Sequence, residues 1–107
     1  MDNTVHTLNK LQSLEQLYRR GFRSEVIDRA IDKLLATEIE RAYAERRDLD
    51  ARLVNYEKQY HMSSEEFYRR FRAGELGDGM DFVEWSVFYE MHQATLEQLK
   101  MLGATPQ

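Results

Sequence analysis

Ser24-Glu25-Val26-Ile27-Asp28-Arg29-Ala30-Ile31-Asp32-Lys33-Leu34-Leu35 opens a run, residues 24–60, that contains neither proline nor glycine. It predicts one long amphipathic helix of roughly 55 Å, more than a 107-residue chain can bury within itself. Ser24 offers a hydroxyl to the unpaired amides of the first turn, and Glu25 and Asp28 suit its positive end. From Leu35 the spacing alternates four and three through Leu35, Ile39, Ala42, Arg46, Leu49, Leu53, Tyr56 and Tyr60. Such a 3.5-residue period keeps one stripe facing a neighbouring helix, so Leu35, Ile39, Ala42, Leu49, Leu53 and Tyr56 are read as the seam of a homodimer. Arg46 interrupts it, either snorkelling out or pairing with an acid across the interface.

Composition bounds the alternatives. With 42% hydrophobic but 32% charged residues and a mean hydropathy of −0.70, a single domain of this length has a thin core, which oligomerisation would complete. A net charge of −4 argues against a mainly electrostatic nucleic-acid binder, because such proteins need clustered Lys and Arg to displace counterions from phosphates. The absence of cysteine excludes disulfides and thiolate chemistry. Residues 1–10 hold no apolar run of signal-peptide length, and no stretch approaches the ~20 apolar residues of a membrane span, so a cytoplasmic location is expected.

Outward from the long helix, Met1 to Thr7 is expected to fray. Leu8, Leu11, Leu14, Leu17 and Tyr18 then mark a short helix over about 7–20, within an N-terminal segment 1–23, and Gly21 is its left-handed cap. Lys10, Arg19, Arg20 and Arg23 outnumber Asp2 and Glu15 there; this basic cluster either meets phosphate or solvates a helix end. On the other side, His61-Met62 breaks the pattern and Ser63 with Glu66 forms a capping box for a helix over 63–73. Three glycines make 74–80 a loop; Asp81 with Glu84 is a second capping box, and a last helix over 81–102 ends at Gly103 and Pro106. Its own seam is Phe82, Trp85, Tyr89, His92, Leu96 and Leu99, which suits an antiparallel return along the long helix, while Val83, Val87, Phe88, Met91 and Leu102 add more apolar surface than one contact stripe would hide.

Catalytic and ligand chemistry find no pattern. His6, His61 and His92 fall in unrelated segments, Glu65-Glu66 reads as a capping pair, and no serine has a base at a recognisable spacing, so no enzyme, metal site or cofactor is expected. The glycine loop has no preceding strand and no following Lys-Ser/Thr for a phosphate, and no alternate-residue acids for calcium. Seven of the twelve aromatics fall between 67 and 89, a concentration that signals either core or interface. Read as interface, Glu75 and Asp78 on the loop with Phe82, Trp85, Phe88 and Tyr89 beyond it form a partner-binding segment. Read as core, Trp85 packs on the long helix and the chain is a structural coiled-coil scaffold.

Two resemblances bear on function. Gly21-Phe22-Arg23-Ser24-Glu25-Val26-Ile27-Asp28-Arg29-Ala30 resembles the second-helix entry of ribbon-helix-helix DNA-binding proteins, which implies a strand at Thr4-Val5-His6-Thr7-Leu8, although that stretch has no outward Arg, Lys or Gln pattern. Met62-Ser63-Ser64-Glu65-Glu66-Phe67-Tyr68-Arg69-Arg70-Phe71, then Ala73-Gly74-Glu75-Leu76-Gly77-Asp78 and Asp81-Phe82-Val83-Glu84-Trp85-Ser86, is similar to a family of short helical prokaryotic antitoxin-like proteins. Members of that family often carry an acid where this chain has Gly79. The second resemblance implies an antitoxin that neutralises a small ribonuclease-type toxin encoded by an adjacent gene; the residue pattern itself reads as an all-α dimer with one domain over 1–107, and the net charge of −4 argues against nucleic-acid binding by the isolated protein.

Overall fold

Four helices make up the computed structural model, which describes residues 3–104: α1 Asn3–Arg19, α2 Glu25–Tyr60, α3 Ser64–Arg72 and α4 Met80–Met101. The all-α class is as the sequence reads, and no strand occurs among the described residues. Helix α1 begins earlier than expected, with Thr7 Oγ1 donating to Asn3 O at 3.2 Å. The stretch Thr4–Leu8 is therefore helix, and the ribbon of a ribbon-helix-helix protein is not formed there. Met1, Asp2 and Pro106, for which fraying and a helix stop were expected, lie outside the described residues. None of the helices is long and apolar enough to cross a membrane.

Three helix ends share one device. After α1, Gly21 at φ +91° lets its own N–H reach Tyr18 O at 3.1 Å and the Phe22 N–H reach Leu17 O at 3.0 Å. The same paired bonds recur after α3 around Gly74 and after α4 around Gly103, so each glycine satisfies carbonyls that a straight helix end would leave open. Between α2 and α3 the turn falls instead on His61, whose φ of +54° is unusual for a residue with a side chain.

The start of α3 is capped by two helices. Ser63 Oγ accepts from Glu66 N at 3.1 Å, as the sequence predicts, but the Glu66 carboxylate turns to Arg69 at 2.8 Å. Glu57 of α2 takes up a second open amide, accepting from Ser64 N at 2.9 Å. The second expected capping box does not form. Helix α4 starts at Met80 behind Gly79, with no side-chain cap, because Asp81 and Glu84 accept hydrogen bonds from Tyr60 and Tyr56 of α2 instead.

The contacts gather into two compact units rather than one, the first running up to Leu34 and the second starting at Leu35, so the division falls inside α2. In the first unit no described residue is buried. Its turn is fastened by Tyr18, whose hydroxyl lies 2.6 Å from Asp28 Oδ1 and 2.9 Å from Ser24 O. In the second unit the buried apolar residues are Ala42, Leu49, Leu53, Phe67, Trp85 and Leu99.

Candidate functional site

Trp85 of α4 is the centre of the second unit and has no exposed surface. Its indole lies parallel to the Phe67 ring at 3.8 Å between centroids, with Tyr56 at 5.5 Å and Tyr60 at 5.7 Å. Its Nε1–H donates to Ser64 Oγ at 2.9 Å, so the one polar atom of the ring is satisfied inside the core. Ser64, the first residue of α3 behind the capping Ser63, is itself buried. The expectation that Trp85 meets a partner is therefore corrected: every face of it is taken up by its own chain.

Three hydrogen bonds tie α2 to α4. Tyr60 Oη donates to Asp81 Oδ2 at 2.5 Å, Tyr56 Oη to Glu84 Oε1 at 3.0 Å, and His92 Nε2 lies 2.6 Å from Asp50 Oδ1. Position falls along α2 as it rises along α4, so the two strings of residues run in opposite senses. Each tyrosine–carboxylate bond raises the phenol pKa. For Tyr60 the bond to Asp81 is the main cause and for Tyr56 burial leads, with Glu84 second. Tyr68 of α3 repeats the pattern on Glu90 at 3.0 Å, stacking on Tyr89 at 4.7 Å, and the bond to Glu90 raises its pKa.

This arrangement revises the seam. Ala42, Leu49 and Leu53 are buried within the single chain, Ile39 and Tyr56 are half-buried, and Leu35 alone of the six stays 43% exposed. The stripe read as a homodimer seam is thus occupied by the chain's own helices over most of its length. Arg46 neither snorkels out nor crosses an interface: its side chain is 15% exposed and its Nε lies 3.4 Å from Asp50 Oδ2, one turn along the same helix. Asp50 thereby joins Arg46 to His92, while Arg46 Nη1 and His92 Nδ1 stay buried without a partner.

Folding also makes a juxtaposition that no spacing foretold. Asp50, His92, Ser63 and Ser64 line one cavity of about 320 Å³, together with Glu57, Glu65 and Tyr89. The residue types are those of a nucleophile, base and orienter, but the bonds are not. Ser64 Oγ accepts from Trp85, Ser63 Oγ caps Glu66, and His92 Nδ1 reaches no hydroxyl, so neither serine is activated. Among the described residues no group of three or more His, Asp or Glu is placed to hold a metal ion.

The other predicted partner residues divide between core and surface. Phe82, Phe88 and Tyr89 are half-buried; Phe82 lies against Tyr60 and Phe67, and the Arg52 guanidinium covers the Phe88 ring at 5.0 Å. Glu75 and Asp78 stay exposed, Glu75 with only a loose 3.9 Å ion pair to Arg70. The apolar surface of α4 in excess of one contact stripe falls on the face opposite Trp85, and Met80 extends it. Met80, Val83, Val87 and Met91, spaced three, four and four, are 75%, 41%, 46% and 41% exposed, an apolar stripe that starts where the acidic loop ends. Their excess over one stripe is visible in the sequence, but α4 is apolar around most of its circumference, so the face they take is not. No protein-family model, curated protein or solved structure matches this chain.

Proposed function

We propose that this chain is a non-catalytic protein-binding module, the cytoplasmic antitoxin of a toxin–antitoxin pair, whose partner is a small basic ribonuclease-type toxin encoded by an adjacent gene. The observation that carries the binding reading is the two-sidedness of α4: aromatics turn inward on Trp85, while Met80, Val83, Val87 and Met91 turn outward beside exposed Glu75 and Asp78. The resemblance of residues 62–86 to antitoxin-like proteins supplies the partner class. A nuclease presents a basic cleft to RNA. Acids on a loop stand in for phosphates and speed encounter, and the apolar stripe slows departure.

A second reading, a structural coiled-coil scaffold, draws support from Trp85, Ala42, Leu49 and Leu53 all serving the chain's own core. Kinetic binding to the purified product of the neighbouring gene separates the two. Val83→Asp and Val87→Asp are expected to raise the off-rate about tenfold or more, and Glu75→Lys with Asp78→Lys to slow association and flatten its salt dependence. None of these side chains is buried, so the melting temperature should hold. Absence of any complex, or wild-type kinetics in all four variants, leaves the scaffold reading standing.

A further inference from the structure

The first unit is preformed but uncovered. Its ten Val, Leu, Ile and Phe residues include eight, Val5, Leu8, Leu11, Leu17, Phe22, Val26, Ile31 and Leu34, that are 38% to 78% exposed. The turn that joins them is nonetheless specified in detail by the Gly21 bonds and by Tyr18 on Ser24 and Asp28. A 17-residue helix without a buried residue has only marginal stability of its own, since helices in proteins draw most of theirs from packing an apolar face.

We propose that these exposed apolar residues of 3–34 are where a second copy of the chain docks, the two first units closing one shared core. Three observations favour a second copy over another occupant. The exposed surface of these eight residues sums to roughly 700 Å² per copy, of the order of the ~800 Å² per partner of a stable interface. Four of the ten charged side chains in residues 3–34 pair within their own helices, Arg19 on Glu15 and Arg29 on Glu25, and six bases stand against four acids there. That balance is too even to call for a nucleic acid or an anionic surface, or to oppose self-association. Finally, a face that the fold leaves open needs a cover present whenever the chain is, and an isologous contact with its own copy meets that condition.

The test uses the full chain. Light scattering across roughly 1–100 μM should give twice the 12.8 kDa chain mass at the upper end. Leu8→Asp and Leu34→Asp should each weaken association about a hundredfold or more, because a carboxylate without a partner would enter the shared core. Trp85 fluorescence reports the second unit separately and should not change in either variant. The chain has no cysteine, so Leu11→Cys provides a further reading: it should oxidise to a covalent dimer well before Lys58→Cys does. A monomeric wild type at 100 μM overturns the proposal. So does a dimer that survives both aspartates, or equal cross-linking at positions 11 and 58. None of these readings involves the α4 stripe, so loss of the toxin complex and loss of the dimer are distinguishable.

Discussion

Residues 3–34 and the unit that begins at Leu35 use the same helical periodicity and reach opposite ends. The first carries ten large aliphatic or phenylalanine residues and buries none of them; the second closes a core in which Phe67, Trp85 and Leu99 have no exposed surface. The difference lies in ring content and in how ring ends are satisfied. Ten of the twelve aromatics belong to the second unit. A fully buried ring hides about 150–250 Å², and three tyrosine hydroxyls there bond carboxylates on α4, so large side chains cross between helices without orphaning a polar atom. Leucine spacing makes a helix; it takes such cross-helix rings to make a core.

The largest effect that would break this contrast is truncation at its centre. Trp85→Ala should cost about 3–5 kcal/mol in denaturant unfolding, by loss of transfer energy and by the cavity left among Phe67, Tyr56 and Tyr60. Leu11→Ala, exposed in the first unit, should change the stability of dilute protein by less than about 0.5 kcal/mol. Equal losses from the two would mean that the first unit has a core of its own.

A smaller effect sharpens what holds the indole. Ser64→Ala removes the acceptor for Trp85 Nε1 and leaves a buried donor unpaired, which should cost about 1–3 kcal/mol. Adding Trp85→Phe to Ser64→Ala should cost much less than Trp85→Phe alone, since the donor goes with the acceptor. Simple additivity in that double-mutant cycle would show that the hydrogen bond contributes nothing to the core.

The frame of this fold was legible from glycines and caps. Gly21, Ser63, the run 74–79 and Gly103 place the helix boundaries beside them within a few residues, because positive φ and open amide groups are local demands, whereas the start of α1 carries no such mark. What was not legible depended on choices between partners far apart in the chain. Asp81 and Glu84 have the spacing of a capping box, yet tyrosine hydroxyls from α2 outbid the backbone amides. The seam from Ala42 to Tyr56 has the period of a dimer contact, and periodicity alone cannot tell a second copy from α4. Of the candidate site, exposed Glu75 and Asp78 were found from the loop composition. For Trp85 the sequence leaves core and interface open and the core reading holds; the excess apolar surface of Val83, Val87 and Met91 is legible, but not which face it takes, in a helix with no clear polar face.

The smallest effect expected is at alkaline pH, and it compares the units through their phenols. In the second unit Tyr60 and Tyr68 are raised above the ordinary value of 10.0, chiefly by bonds to Asp81 and Glu90; Tyr56 and Tyr89 are raised chiefly by burial. In the first unit Tyr18 is raised by its bond to Asp28. A raised folded pKa means that the native state keeps its proton where the unfolded chain has released it. The stabilisation is therefore complete below about pH 10 and is lost as pH climbs through the folded values. Unfolding midpoints should hold to about pH 9 and fall beyond pH 10. Tyr60→Phe should make that fall shallower than in wild type, and lysine titration, common to both chains, cancels in the difference. Tyr18→Phe should leave the alkaline slope of the second unit as it was, when followed by Trp85 fluorescence. Should Tyr60→Phe leave the slope unchanged, the bonds that bring α2 against α4 do not persist in solution, and the second unit is held by ring packing alone.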